Sequence, residues 1–200
     1  LIIGGPGPTK YDFVEGEYLN YMLKEKIIGT VDTSYVGESG VEEVVAKSPE
    51  ILRGVRYSDE KRAVQRFLYE VGHDTGLGVY GETEVRKYLG LGIVDTILLS
   101  EKVNVVHVET KCTTCSYRDD KLMAPSELMK YEQSLTDARC PKCSNNTLTI
   151  EKREDLLDEL IDLAEKAGAK IEIVSVETEE GVMLRESFGG IAAVLRYKPA

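Results

Sequence analysis

Four cysteines fall in two C-x-x-C pairs, Cys112-Thr113-Thr114-Cys115 and Cys140-Pro141-Lys142-Cys143. Each pair lets two thiolates reach one ion from a single tight turn, and two such turns supply four sulfurs for a tetrahedral zinc ion. Four protein ligands leave no open coordination position, so the expected ion is structural and does not activate water. The same residues could remain free thiols or form disulfides. A chain able to fill a large core and lacking a secretion signal points instead to a reducing cytosol and to metal. The segment between the pairs is longer than in short zinc ribbons, and a hairpin-like insertion absorbs the extra length at little entropic cost.

Other residues with chemical potential read more weakly. His73 and His107 are the chain's two imidazoles, and a standalone α/β hydrolase using one of them as base is a possible reading, but no Ser or Cys nucleophile is arranged around either. Asp74-Thr75-Gly76 matches a protease triplet by letter only and reads as a helix stop. The stretch from Gly4 to Lys10 lacks the Gly-Lys-Ser/Thr ending of a phosphate loop, and its two prolines remove amides that a phosphate would need. The acidic run Glu151 to Glu159 is expected on the solvated face of a helix.

The 200 residues are 42% hydrophobic with a formal net charge of -10, enough apolar material for a real core and a charge that bare phosphate backbones would repel. Strong nonspecific nucleic-acid binding is therefore not expected. The chain opens on Leu1 in an apolar run with no charged n-region, and reads as beginning inside a domain. Ile93 to Ser100 is interrupted by Asp95, so no stretch has the length of a membrane span. A cytoplasmic protein is expected.

Periodicity outlines the secondary structure around these residues. Leu1 to Ile3 reads as a strand, Gly4 to Pro8 as a turn, Tyr18 to Leu23 as helical and Ile27 to Val31 as a strand. Ser39 and Glu42 have capping-box spacing ahead of Val41, Val44 and Val45, which places a domain boundary at Gly37 to Gly40. Ser48-Pro49 interrupts before Ile51 and Leu52, and Ser58 is expected to cap a helix carrying Val64, Phe67, Leu68 and Val71. A helix through Val85 and Leu89 precedes strands at Val94 to Leu99 and Val103 to Val108. After the cysteine region come a helix from Leu156 to Ala164, a strand from Ile171 to Val176 and a Gly-led apolar strand from Phe188 to Tyr197. A Gly-Gly step ahead of such a run implies close approach by a neighbour or a partner. The alternation implies an α/β sandwich with a mixed or partly parallel sheet.

Several segments resemble the C-terminal part of archaeal class-1 peptide chain release factors, cousins of the eukaryotic termination factor and more remotely of the rescue protein Pelota. They are Ile2 to Lys10, Val31 to Tyr35 with Gly37 to Gly40, Asp74-Thr75-Gly76 with Tyr80-Gly81, and Phe188 to Ile191 with Leu195 to Tyr197. The resemblance implies that 1–36 is the tail of a central, peptidyl-tRNA hydrolysis domain. It makes 37–108 and 147–200 a C-terminal α/β sandwich similar to L7Ae/L30e-type ribosomal proteins, with 109–146 a zinc-binding minidomain inserted in it. A Pelota-like factor shares the fold but, as usually seen, lacks the cysteine insertion. A kink-turn RNA binder follows from fold analogy alone and sits badly with the acidic charge.

In that family, hydrolysis depends on a Gly-Gly-Gln loop, and neither Gly4-Gly5 nor Gly189-Gly190 is followed by glutamine. No catalytic residue is carried over. The resemblance implies partners instead: a translational GTPase resembling the aminoacyl-tRNA-delivering elongation factor, the ABC-type recycling ATPase and the ribosome. Two segments match the regions implicated. One carries Val41, Val44, Val45, Ile51 and Leu52; the other carries Phe188, Gly189, Gly190, Ile191, Val194, Leu195, Arg196 and Tyr197.

Overall fold

Strands β1 (Ile2–Gly5) and β2 (Gly29–Asp32) run parallel, with Ile2 opposite Gly29 and Gly5 opposite Asp32, in a computed structural model that describes residues 1–199. Parallel neighbours need a crossover, and α1 (Thr9–Glu15) and α2 (Tyr21–Lys24) provide it. Helix α3 (Glu38–Lys47) then lies on β1, and α4 (Pro49–Gly72) follows. The glycines in the strands are what admit the helices. A Cβ on Gly4 would stand 2.1 Å from Val44 Cγ2, and one on Gly29 would stand 2.9 Å from Ile51 Cδ1.

The chain divides into two units, Leu1–Asp59 and Glu60–Ala200. The break expected after residue 36 thus falls inside the first unit, because α3 packs on β1 through Val44. Gly37, at φ 71°, is the N-cap of α3, so Ser39 lies within the first turn and forms no capping box. Glu43 does related work: its carboxylate accepts the Ser34 amide at 2.6 Å. Ser58 caps nothing either, since α4 runs unbroken through it from Pro49 at its first position. In the first unit Val31 is buried, while Tyr18, Tyr21, Met22 and Val36 are exposed.

The second unit continues with β3 (Gly78–Tyr80), α5 (Glu82–Gly90), β4 (Val94–Ser100), β5 (Val106–Cys112), β6 (Arg118–Met123), α6 (Pro125–Asp137), β7 (Leu148–Asp155), α7 (Leu156–Lys166), β8 (Lys170–Val174), α8 (Glu179–Phe188) and β9 (Ile191–Leu195). Among the described residues its strands form a mixed sheet of order β3-β9-β4-β8 and an antiparallel sheet of order β6-β5-β7. Ile191, Ala193 and Leu195 face α5 and α7 with Val85, Leu89 and Leu160, whereas Ala192 and Val194 face α4 and α8 with Val64, Phe67 and Leu184. The mixed sheet is therefore the middle layer of an α/β/α sandwich, the architecture implied by near-continuous apolar strands.

Two sequence expectations change here, and one helix is added. The strand placed at Val103 to Val108 does not join the main sheet: Val103 and Val105 pack on the core, and at Val106 the chain enters the second sheet. That sheet reaches from Val106 to Asp155, wider than the segment 109–146 expected for the insertion. Helix α8 is the addition: Gly181 lies in its first turn, and its inward apolar face is short, consisting of Leu184 and Phe188. Its N-cap is Thr178, whose hydroxyl accepts the Gly181 amide at 3.1 Å.

Candidate metal centre

The cysteine pairs occupy two turns of matching backbone. In the first, which ends β5, the Ser116 amide donates to Cys112 O at 3.0 Å and the Cys112 amide to Tyr117 O at 2.8 Å. In the second, following α6, Ser144 donates to Cys140 O at 2.8 Å and Cys140 to Asn145 O at 2.9 Å. Ser116 (φ 54°) and Ser144 (φ 61°) both adopt the left-handed conformation directly after the second cysteine. That conformation turns later amides back toward sulfur: the Tyr117 amide bonds Cys115 and the Asn145 amide bonds Cys143. The spacing of the cysteines is enough to expect two ligand-bearing turns, whereas the left-handed serine after each pair and the amides it turns toward sulfur are features of the fold.

The turns face each other. Cys112 Sγ lies 3.6 Å from Cys143 Sγ, and Cys115 Sγ lies 3.5 Å from Cys140 Sγ. All four sulfurs are within 4.8 Å of one another. Tetrahedral zinc at about 2.3 Å from each thiolate spaces them roughly 3.8 Å apart, so the set fits such an ion. Cys112 and Cys140 are buried and their partners half-buried, and all four are free cysteines. The sequence-predicted ligands are therefore brought to one point.

Electrostatics favour a cation there. The Thr147 hydroxyl, helped by the Cys115 and Thr114 amides and opposed by burial, lowers the Cys112 thiol to about 6. The Tyr117 amide lowers Cys115, but burial and hydrogen bonds from the other three cysteines outweigh it and push that thiol up to about 12. The Asn145 amide is likewise overcome at Cys143, which is raised. The Cys112 thiolate forms readily while Cys115 and Cys143 resist ionising, and a bound divalent cation would favour the thiolate form of its ligands.

The other sites foreseen in the sequence disperse. His107 Nδ1 lies 2.8 Å from Glu159 Oε2 in an ion-pair cluster with Arg86 and Glu82. His73 Nδ1 lies 2.9 Å from Tyr69 O, and its ring stacks on Tyr69 with centroids 4.0 Å apart. Neither imidazole meets a hydroxyl or thiol among the described residues. The opening glycine loop closes on its own lysine, for buried Lys10 donates to Gly7 O at 2.7 Å and pairs with Asp32.

The foreseen partner surface is partly overturned. Ile191, Val194 and Leu195 are interior, since β9 lies between β3 and β4 with helices on both faces. Gly189 (φ 71°) and Gly190 (φ 79°) do not lead the strand; they end α8, with the Gly190 amide returning to Leu184 O at 2.9 Å. Gly190 is approached closely from within, where a Cβ would stand 2.8 Å from Val103 Cγ2. Phe188 is wedged edge-on between Phe67 and Tyr80. Arg196 spends its guanidinium on Gly168 O at 2.7 Å, Gly92 O at 3.2 Å and Ala167 O at 3.5 Å. Of the closing segment, Tyr197 presents an exposed ring. In the other segment Val41, Val45 and Leu52 are exposed, and Val44 and Ile51 pack inward on Gly4 and Gly29.

Comparison with known proteins divides the chain near the same place. A family model described as eRF1 domain 2 matches residues 1–54, and one described as eRF1 domain 3 matches residues 57–199. Peptide chain release factor subunit 1 of Pyrococcus abyssi is 51% identical over 198 residues, covering 99% of this chain and 47% of that protein. The chain thus spans about half the length of the curated relatives it matches. The solved C-terminal domain of a peptide chain release factor from Methanosarcina mazei matches at TM-score 0.69 and 37% identity, covering 82% of this chain and 98% of that one. A model of ribosome-bound archaeal Pelota and ABCE1 shares the fold at TM-score 0.53 and 24% identity, covering all of this chain and 43% of that one.

Proposed function

The chain belongs to the peptide chain release factor subunit 1 family, and from that premise we propose that it is the partner-docking portion of a translation termination factor and carries no hydrolytic group. What supports this is coverage: family matches extend over 1–54 and 57–199, so both units have counterparts in release factors. Because the chain spans 47% of such relatives, stop-codon-dependent release is assigned to the whole factor, and docking to this part.

The partner kinds are a translational GTPase, as the family resemblance implies, and the ribosome with an ABC-type ATPase, which accompany a protein of the same fold. The docking face assigned to this chain is the exposed side of α3, with Val41 63% and Val45 61% accessible one turn apart, together with Leu52, exposed on early α4. An apolar exposed row on a helix is suited to a partner's groove. The cysteine centre would hold a structural zinc ion, clamping two turns that have little apolar core of their own.

Titration calorimetry of the chain against an archaeal elongation-factor-type GTPase bearing a non-hydrolysable GTP analogue tests the reading. Val41→Asp with Val45→Asp should weaken binding at least tenfold, in the range of an interface anchor. Equal binding by wild type and variant sinks the surface, and wild type that binds neither the GTPase nor the ABC ATPase sinks the docking role.

A further inference from the structure

The two cysteine turns match in backbone but not in side-chain environment. Cys112 Sγ lies 3.2 Å from the hydroxyl of Thr147, and that hydroxyl lies 3.0 Å from the hydroxyl of Thr114. Cys140, the counterpart of Cys112 in the second turn, has no hydroxyl at hydrogen-bond distance among the described residues. Thr147 is held in place by its own backbone, whose carbonyl accepts the Thr113 amide at 3.0 Å, and it directly precedes β7, which pairs Leu148 with Cys112.

A metal-bound thiolate carries no proton, so at Cys112 the hydroxyl must be the donor. With its single proton committed to sulfur, Thr147 can only accept from Thr114. The direction of the chain is thereby settled as Thr114 to Thr147 to Cys112. A hydrogen bond to thiolate withdraws charge from sulfur, stabilising the ionised ligand and making it a poorer nucleophile toward electrophiles.

We infer that Thr147 is a positioning residue of the metal centre, which through its hydroxyl tightens metal binding and protects Cys112, with Thr114 orienting that hydroxyl. The inference rests on the four sulfurs holding a metal, and it makes the first turn the more firmly bound half of the site.

The test uses the whole 200-residue chain. Zinc affinity is measured by competition with a chromophoric chelator, the cobalt-substituted protein supplies a thiolate-to-metal charge-transfer band, and alkylation of the zinc form by N-ethylmaleimide is mapped by mass spectrometry. Removing an outer hydrogen-bond partner of a ligand typically costs 10–100-fold in affinity, so Thr147→Val should weaken zinc by about tenfold or more, while Thr147→Ser stays within about threefold. Thr147→Val should also shift the cobalt band and raise the alkylation rate of Cys112 relative to Cys140, which is equally buried and so controls for access. Thr114→Val, which keeps the Thr147 contact, should produce a smaller change of the same sign and serves if Thr147→Val does not fold. Unchanged affinity, band and alkylation ratio in these variants overturn the role of Thr147 while leaving the metal reading intact. Wild type that takes up neither zinc nor cobalt overturns both.

Discussion

Arg86 meets Glu159 through two parallel hydrogen bonds, Nη1 to Oε1 at 2.6 Å and Nη2 to Oε2 at 3.0 Å. The pair joins α5 to α7, and His107 of β5 reaches the same carboxylate at 2.8 Å, so one acidic side chain links the sandwich to the sheet that carries the cysteines. Arg86, then His107, hold the Glu159 carboxyl down at about 2 against the opposing effect of burial. A carboxyl depressed in the folded state contributes stability that is complete above its unfolded value near 4.5 and is lost as pH falls toward 2. Chemical denaturation at pH 6 and pH 3 should show Glu159→Gln less stable than wild type by on the order of 2 kcal/mol at the higher pH, with the gap narrowing at the lower. A gap that does not depend on pH would remove the ion pair from the account.

Metal removal should act locally. Chelation or acid is expected to loosen the two cysteine turns and the ends of β5 and β7 that they join, while the sandwich persists, because its core at Ile97, Leu160, Ala193 and Leu195 is built without them. Amide hydrogen exchange before and after chelation checks this: protection should fall around Cys112–Ser116 and Cys140–Asn145 and remain along β4 and β9. Replacement of any one cysteine by serine should have the same local effect.

A charge placed in β9 should unfold the second unit and so cannot probe docking. Val194 is 1% exposed and contacts the α4 and α8 layer, so Val194→Glu buries an unpaired carboxylate and should cost more than about 4 kcal/mol. Val41→Asp, on an exposed side chain, should move the thermal midpoint little. Paired melting curves by circular dichroism distinguish the two.

Arg196 should prove structural. Its guanidinium satisfies the carbonyls of Gly92, just beyond α5, and of Ala167 and Gly168, the C-cap of α7 and the residue after it. Arg196→Ala is expected to destabilise by about 1–3 kcal/mol, with lysine a partial substitute because it lacks the planar fork. Urea unfolding followed at β9 measures it.

The two units should differ in local stability. In the first, Val31 is buried while Tyr18, Tyr21, Met22 and Val36 face solvent, whereas the second encloses clusters on both faces of its sheet. Amides of β1 and β2 should therefore exchange faster than those of β4 and β9 by several orders of magnitude. Equal protection would contradict the burial pattern.

Residue order alone carries what local chemistry encodes. Ligand type and spacing named Cys112, Cys115, Cys140 and Cys143; apolar periodicity named α5, α7 and β4; and the unbroken run Ile191 to Leu195 announced a strand. Long-range pairing decided the rest. The same run is compatible with a sheet edge open to a partner or with a strand covered on both faces, and only its placement between β3 and β4 chose the second. Gly189 and Gly190 read as the head of that strand, yet their positive φ angles end a helix whose inward face is only Leu184 and Phe188 beyond Gly181. The break near residue 36 gave way to Asp59 because Val44 fills the space above Gly4, a contact between residues far apart in the chain. Thr147 shows the limit most plainly: nothing in its neighbours marks it, and its hydroxyl meets Cys112 because antiparallel pairing of β5 with β7 brings the two ends of the insertion together.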